Sequence, residues 1–442
     1  MTFMNSSLAL SAPSIDWAGA YDRLAAEVPA IAAAATRLVT GFAVCLDRRI
    51  DLHAVAPILA ERSEAGARRL FAELMARAKA GRGGEMLVDD WPDGAAFFDP
   101  HTLPGGMAIG GTSAQAAWTL AAIGAPSLLA LGEVGPEELA ALHAGIGLAE
   151  SDTAVGSPKR RWPALRDKPA HYIIEYTAGR PLPGFVAERS TRIIVRFADE
   201  ALHEDAMFDR WVAANGRQLR VGLLSSPNTV PLAELPPALA RLSAAARAWR
   251  GAGLSVVHLE LGAYPWPGTL DATLESLAPE VTSIGLNQNE LRDLVPGDDP
   301  LAQADELSRR LGVDRLVVHA DGWALAVTRG DATVEMDALA MGCLLAAARA
   351  EAGRPSACPR VPLGTAFGPL PAPPLSSLPD DRQVVCVAAP YLESPASTVG
   401  LGDSFTAGCL LVHSIARYRP VLGSVEPAAP MGAATDADPR RA

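Results

Sequence analysis

Short apolar runs alternate with stretches rich in Ala, Leu and Arg along most of the chain. The runs are RLVTGFAVCL, SLLALG, RVGLLSS, SVVHLEL, VTSIGLN, RLVVHAD and VVCVAAP. Runs of this length between helical segments are typical of βαβ units, in which helices cover both faces of the sheet. One such helical segment stops at Gly251 and Gly253, as helices often do. The pattern therefore predicts an α/β protein with a mostly parallel central sheet flanked by helices.

Two segments differ from this alternation of strands and helices. HYIIEYTAG at 171–179 and STRIIVRFAD at 190–199 read as strands, and a turn rich in Pro and Gly separates them. We expect these strands to be adjacent and antiparallel and to form, with residues 46–106, a small β-rich lid. The predicted lid is 46–106 with 169–197, and the predicted large domain is 15–45 with 107–168 and 198–420. Residues 1–14 and 421–442 lack apolar periodicity and are predicted to be disordered.

The longest apolar stretch, at 112–132, could at first be read as a membrane span. Gly124 and Pro126 divide it, so we expect a buried helix followed by a strand. The net charge of −12 opposes binding to nucleic acids or anionic membranes. The sequence thus predicts a cytoplasmic protein, monomeric or homodimeric, whose partners are small molecules.

The sulfur and imidazole groups give no metal pattern. The five cysteines lack a CxxC spacing and are predicted to be reduced, buried thiols; they are Cys45, Cys343, Cys358, Cys386 and Cys409. Seven histidines have no mutual ligand spacing and are expected to be core or surface residues: His53, His101, His143, His171, His203, His319 and His413.

The run STVGLGDSFTAG at 397–408 carries the strongest chemical signal. Two glycines permit a tight turn, and the helix that follows offers free N–H groups at its N-terminus. Gly400, Leu401 and Gly402 could therefore hold a phosphoryl group, while Asp403 takes a proton from an attacking hydroxyl. Asp403 could instead be an ordinary helix-capping residue.

This run resembles the ribokinase-type signature, and other segments narrow the resemblance. His258-Leu259-Glu260 and Asn287-Gln288-Asn289-Glu290 are similar to the HxE and NxxE motifs of the ADP-dependent glucokinase/phosphofructokinase family. GGTSAQAAWTLAAIG, HYIIEYTAG, TRIIVRFAD and RLVVHADGW also resemble family segments in the same order, so the likeness spans about 40–415. It implies a ribokinase-like large domain, a lid, ADP as phosphoryl donor, and Mg²⁺ or another divalent cation.

Acidic residues follow two of the predicted strands. We expect Glu260 and Glu290 at the carboxyl ends of neighbouring strands, where α/β proteins place ligands. The family resemblance implies that they hold the metal, largely through water, together with Asp403. Hard oxygen donors suit Mg²⁺. Each glutamate could instead be a solvated acid at a strand end.

Arginine must supply positive charge for the phosphates, because no GxxxxGK[ST] motif is present. The resemblance assigns this role to Arg192, with Arg189 and Arg196 as alternatives, and a strand-edge arginine that only solubilises remains open. It also places Asn287 and His319 at the nucleotide.

Four residues are candidates for sugar contact by resemblance. Asp47 would accept hydrogen bonds from sugar hydroxyls, Gly110 and Gly111 would let the backbone approach the sugar, and Glu85 is placed near a family glutamate. A turn Asp and a surface acid are the alternatives for Asp47 and Glu85.

The chain departs from the family pattern at two positions. Ala43 stands where the family usually has Asn, and Thr112 stands where it has Asn or Gln. The loss of these amide groups brings glucose as the acceptor into doubt. Three hypotheses follow: a kinase using ADP and a hexose or hexose phosphate, an ATP-dependent ribokinase-type sugar or nucleoside kinase, and a non-catalytic sensor of sugars or nucleotides.

Overall fold

The computed structural model describes residues 15–161, 163 and 167–423. In this part of the chain the strands are β1 (Leu38–Gly41), β2 (Cys45–Asp51), β3 (Gly84–Leu87), β4 (Thr102–Gly110), β5 (Ser127–Leu129), β6 (Leu148–Ala149), β7 (Val155–Gly156), β8 (His171–Tyr176), β9 (Pro181–Leu182), β10 (Phe185–Val186), β11 (Thr191–Arg196), β12 (Val221–Ser225), β13 (Val256–Glu260), β14 (Ser283–Asn287), β15 (Arg315–His319), β16 (Trp323–Thr328), β17 (Leu375–Ser377) and β18 (Gln383–Ala388).

The α-helices are α1 (Trp17–Ala34), α2 (Leu52–Ala60), α3 (Ala65–Lys79), α4 (Gly94–Phe98), α5 (Thr112–Ala122), α6 (Pro136–Ala141), α7 (Ala206–Asn215), α8 (Leu235–Ala252), α9 (Thr269–Leu277), α10 (Gln288–Leu294), α11 (Pro300–Leu311), α12 (Ala332–Ala352) and α13 (Leu401–His413). Helix α8 ends as expected, with Gly253 in the left-handed conformation. The 112–132 stretch is helix α5 followed by strand β5, as predicted.

A nine-stranded sheet forms the larger part of the molecule, in the order β17-β18-β16-β15-β14-β13-β12-β1-β5. The six strands from β15 to β5 run parallel, and β16, β17 and β18 add antiparallel pairs at one edge. The predicted α/β class with a mostly parallel sheet is confirmed. Strand β16 was not among the predicted strands.

Helices cover both faces of this sheet, as alternate residues of β15 show. Leu316 and Val318 belong to the core formed with helices α7 to α11. Val317 belongs to a second core with α1, α5, α12 and α13. A strand buried on both faces reads as a continuous apolar run, which is why the sequence pattern revealed these strands.

A five-stranded sheet has the order β3-β11-β8-β2-β4. Strands β8 and β11 are adjacent and antiparallel, as expected from the sequence. Helices α2, α3 and α4 share a core with this sheet. We call this sheet and these three helices the lid. Its division from the large domain at the predicted residue boundaries stays a prediction.

One predicted strand is wrong. The run RLVTGFAVCL is not a single strand but two, β1 in the nine-stranded sheet and β2 in the lid. Phe42 and Val44, between them, are both 1% exposed. Because the connection is itself buried, the apolar run continues through the point where the chain changes sheets.

Two further expectations need correction. Cys358 is exposed, whereas the other four cysteines are buried as predicted. Of the predicted disordered segments, 1–14 and all but the first three residues of 421–442 lie outside the described residues. At 421–422 the chain is still anchored, because the N–H groups of Val421 and Leu422 donate to the Asp337 carboxylate. No helix among the described residues is long and apolar enough to cross a membrane.

Helices α12 and α13 cross at two glycines. A methyl carbon at Gly408 would lie 2.7 Å from the Cα atom of Gly342. Only residues without a side chain allow this approach, which sets the position of α13 against α12.

A buried ion pair joins these helices to the sheet. Arg315 on β15 donates from Nη2 to Oε1 of Glu335 on α12 at 2.8 Å, and its Nε donates to both carboxylate oxygens. His413 Nε2 on α13 lies 3.1 Å from Glu335 Oε2. Burial raises the pKa of Glu335, but the Arg315 charge outweighs this and holds the pKa well below its usual range.

Glu335→Gln is expected to lower the free energy of unfolding by about 3–5 kcal/mol, because it leaves the buried Arg315 charge uncompensated. Urea denaturation followed by circular dichroism measures this change. Arg210→Ala is the control, since Arg210 pairs with Asp152 on the surface and such pairs contribute less than about 1 kcal/mol. Equal stability losses in the two variants would contradict the assignment.

Candidate active site

A large cleft of about 1450 Å³ lies between the lid and the carboxyl edge of the nine-stranded sheet. Both parts of the molecule line it. Most predicted site residues are among the lining residues: Asp47, Glu85, Gly111, Arg192, Glu260, Asn287, Glu290, His319, Gly400, Leu401, Gly402 and Asp403. Gly110 is not among them.

The glycine turn leads directly into helix α13. Gly400 is the residue before the helix and has φ 70°, a left-handed conformation that favours glycine. A methyl carbon there would lie 2.3 Å from the Arg349 guanidinium carbon. No side chain caps the helix, so its first N–H groups remain available to an anion in the cleft.

Asp403 lies in the first turn of α13 and lines the cleft. Burial raises its pKa, whereas the positive charge of Arg349 lowers it. Arg349 is 1% exposed and donates to Ser404 Oγ at 3.2 Å and to Gln115 Oε1 at 2.6 Å. A buried cation thus lies behind the turn that carries Asp403.

Glu260 ends strand β13, as predicted, and its carboxylate is held from three sides. His258 Nε2 lies 2.9 Å from Oε2, and the Thr406 hydroxyl donates to the same oxygen at 2.9 Å. His319 Nε2 lies 3.3 Å from Oε1. Burial raises the pKa of Glu260, but the hydrogen bonds from His258 and His319 lower it to about 2. The carboxylate is therefore ionised.

Glu290 follows β14, the neighbour of β13, and lies beyond the strand in the helix that comes next. It lies in the first turn of α10, where its Oε2 accepts from the Asn287 N–H at 2.8 Å. Asn287 Oδ1 in turn accepts from the N–H groups of Asn289 and Glu290. Both side chains thus form a capping box, which the NxxE spacing encodes. Burial raises the pKa of Glu290 to about 7, and the charge of Glu260 adds to this rise.

The three arginines considered for the phosphates differ in their partners. Arg196 is buried and pairs with Glu85 and Asp199, and Arg189 pairs with Asp321. Arg192 lines the cleft and makes no ion pair with a described residue. Burial raises the pKa of Asp403 and of Glu290, and this is the largest effect on each. The charge of Arg192 acts in the opposite direction and lowers both pKa values. Of the three, Arg192 is thus the one whose charge reaches the two acids.

Asp47 was expected after the first strand but lies within β2, opposite Ala108 of β4. Burial, and then the charge of Asp403, raise its pKa to about 7. A methyl carbon at Gly110 would lie 2.1 Å from Asp47 Oδ1. Gly110 therefore makes room for the Asp47 carboxylate and does not line the cleft, contrary to the predicted role.

Gly111 precedes helix α5 with φ 82°, and a methyl carbon there would lie 2.5 Å from the Ala43 carbonyl oxygen. This second glycine-started helix also faces the cleft. Glu85 is held by an ion pair with Arg196 and accepts from Asn228 Nδ2 at 3.0 Å. Its carboxylate is thus fixed in position at the cleft wall.

The lid contacts the segment just before the glycine turn. Glu175 on β8 accepts from Ser397 Oγ at 2.8 Å and from the Thr398 N–H at 2.9 Å. Arg49 on β2 donates to Glu175 and to the Ala396 carbonyl oxygen. These bonds fix the segment that leads into Gly400.

Sequence reasoning missed several cleft residues. Cys45, His171 and Glu200 line the cleft together and are all buried. Arg349 was missed as well, although a single arginine in the apolar helix AMGCLLAAARA is a signal that it is buried near an acid. No local pattern in the sequence predicts that Cys45, His171 and Glu200 lie close together.

No protein-family model matches the chain, and no curated protein matches it. Solved structures do match. An ADP-dependent kinase in complex with fructose-6-phosphate and ADPβS aligns with a TM-score of 0.72 at 15% identity, over 91% of this chain and 99% of that one. The match to the last common ancestor of ADP-dependent phosphofructokinases from Methanosarcinales has a TM-score of 0.65 at 15% identity, over 91% of this chain and 99% of that one.

A phosphofructokinase from Pyrococcus horikoshii OT3, solved with AMP, aligns with a TM-score of 0.64 at 16% identity, over 86% of this chain and 98% of that one. These alignments include nearly the whole of each matched structure and most of this chain, so the likeness extends over the whole fold. The chain therefore has the fold of the ADP-dependent phosphofructokinases.

Proposed function

We propose that this protein is an ADP-dependent sugar kinase. It transfers the β-phosphoryl group of ADP·Mg²⁺ to a hydroxyl group of a hexose or hexose phosphate and releases AMP. The observation that carries the proposal is the start of α13, where Asp403 and an uncapped first turn face the same cleft. Structural relatives of the chain are ADP-dependent kinases, which supports the choice of donor.

Asp403 is the proposed catalytic base. It accepts a hydrogen bond from the attacking hydroxyl and takes its proton as the bond to phosphorus forms. The buried Arg349 charge favours the ionised form that this role requires. The N–H groups at the start of α13, from Leu401 onward, stabilise negative charge on the transferred phosphoryl group. Gly400 and Gly402 leave these N–H groups accessible.

Phosphoryl transfer depends mainly on positioning and electrostatic stabilisation. Arg192 brings a guanidinium from the lid, which suits contact with two phosphate oxygens. Asn287 and His319 line the same part of the cleft as Glu290 and Glu260 and are the proposed nucleotide contacts. Lid closure would exclude the water that competes with the sugar hydroxyl.

The acidic residues fit a magnesium ion held through water. Glu260 is ionised, with both oxygens already in hydrogen bonds, so an outer position suits it better than direct ligation. Only Oε2 of Glu290 is hydrogen-bonded within the described residues, which leaves Oε1 for a metal-bound water. Asp403 is the third candidate. When bound, the ion neutralises charge on the phosphates.

Asp47, Glu85 and the backbone around Gly111 are the proposed sugar contacts. Asp47 and Glu85 are carboxylates fixed by neighbours, and Gly111 opens the start of α5 to the cleft. Ala43 and Thr112 line the same wall and offer fewer polar atoms than amide side chains would. The sugar therefore makes different contacts from those in the family pattern.

Asp403→Asn is expected to lower kcat by at least about 100-fold, because the proton acceptor is lost, with ADP binding mostly retained. Coupled assays and calorimetry measure the two effects. Asp271→Asn is the matched control: Asp271 also lies in the first turn of a helix that follows a left-handed glycine, Gly268, but it does not line the cleft. Near-normal activity of Asp403→Asn would refute the role of base.

The donor is tested by product analysis. With ADP and a panel of hexoses and hexose phosphates, AMP should form in equal amount with the phosphorylated sugar. ADP formed from ATP at a higher kcat/KM would support an ATP-dependent kinase instead. Calorimetric binding of ADP and sugar without turnover would support a sensor.

Glu290→Gln is expected to raise the Mg²⁺ concentration for half-maximal activity by about 10-fold or more, since outer partners of a metal typically contribute this much. The measurement is a Mg²⁺ titration at fixed ADP. Glu275→Gln, an exposed change on α9, should leave the titration unchanged. An unchanged midpoint in Glu290→Gln would exclude this residue from the metal site.

A further inference from the structure

Three donor groups of different chemistry meet on the lid side of the cleft. Cys45 begins β2, His171 begins β8, and Glu200 lies between β11 and α7. His171 Nδ1 is 3.4 Å from Cys45 Sγ, and His171 Nε2 is 3.6 Å from Glu200 Oε2. One ligand atom from each residue lies within 4.8 Å of the other two.

Two atoms of this group lack a partner. Cys45, His171 and Glu200 are only 2%, 8% and 7% exposed. His171 Nε2 and Glu200 Oε1 nevertheless have no hydrogen-bond partner among the described residues. Buried polar atoms are nearly always paired, so these two atoms point to a ligand that binds between them.

Charged groups of both signs surround the three side chains. Burial, and then the carboxylates of Asp47, Glu200, Glu85 and Glu138, raise the pKa of the Cys45 thiol. Burial, and then the charges of Arg196 and Lys168, lower the pKa of His171 to about 3, so its ring is neutral and has a lone pair to donate.

The donor set and its spacing select the ion. Thiolate, imidazole and carboxylate are the ligands of Zn²⁺, at about 2.0–2.3 Å, which separates tetrahedral donors by about 3.3–3.7 Å. An imidazole binds an ion through one nitrogen, so one of the two distances at His171, 3.4 Å from Nδ1 to Cys45 Sγ or 3.6 Å from Nε2 to Glu200 Oε2, matches this separation. The third donor atom lies within 4.8 Å. Mg²⁺ prefers oxygen donors alone. We propose that Cys45, His171 and Glu200 form a binding site for a zinc-class divalent cation, with the fourth position open to the cleft.

The site lies beside a proposed sugar contact. Cys45 Sγ is 3.7 Å from Asp47 Oδ1, and His171 pairs in register with Asp47 across β2 and β8. If the proposed kinase function holds, the bound cation would occupy space next to the acceptor hydroxyls. Zn²⁺ would then raise the apparent KM for the sugar and leave the KM for ADP unchanged.

Binding is tested without any assay of activity. The full chain, freed of metal by chelation, is titrated with Co²⁺, and the thiolate-to-cobalt absorption in the near ultraviolet is recorded. One Co²⁺ should bind with this band, Zn²⁺ should displace it, and excess Mg²⁺ should not. A spectrum without the thiolate band would overturn the proposal, and this readout needs no variant.

Variants assign the ligands. Cys45→Ser should abolish the band, and Glu200→Gln and His171→Gln should weaken Zn²⁺ binding by at least about 10-fold, because even outer partners of a metal contribute that much. Cys358→Ser is the control, since Cys358 is exposed and should leave the band intact. A band lost in Cys358→Ser and kept in Cys45→Ser would overturn the proposal.

Zn²⁺ binding in a protein without kinase activity would refute only the proposed function.

Discussion

The candidate active site is organised around one buried charge, the guanidinium of Arg349. Burial lowers its pKa to about 10, and the carboxylates of Asp403 and Asp47 counteract this, so it remains a cation. It lies against Gly400, holds Ser404 of α13 and Gln115 of α5, and stabilises two acids on opposite parts of the molecule. An unpaired buried charge is costly, which means that the turn, the two helices and the acids must assemble together.

A second network fixes the metal side of the cleft. Glu260 receives hydrogen bonds from strand β13 through His258, from β15 through His319, and from α13 through Thr406. Helix α13 is therefore positioned by polar contacts at its start and by the glycine crossing with α12 in its middle. This arrangement brings Asp403 and Glu260 to the same cleft with little freedom of orientation.

The sequence predicted the parts of the fold that have a periodic signal. Strands buried on both faces gave apolar runs, and the turn at Gly400 gave a motif. It failed where burial continued across a change of sheet, as at Phe42 and Val44. The sequence did not reveal that Glu290 caps α10, because a capping residue and a strand-end acid look alike in sequence. The roles of Gly110 and the group around His171 depend on contacts between distant segments, which no local pattern encodes.

The bonds from Glu175 and Arg49 to residues 396–398 have a consequence for motion. These lid side chains hold the backbone that feeds into the phosphate-binding turn. Any rotation of the lid that separates it from the sheet must break these bonds and release that backbone. The cleft would then open at the same time as the N–H groups at the start of α13 lose their fixed position. The site is therefore best organised for phosphoryl transfer only when the lid is closed.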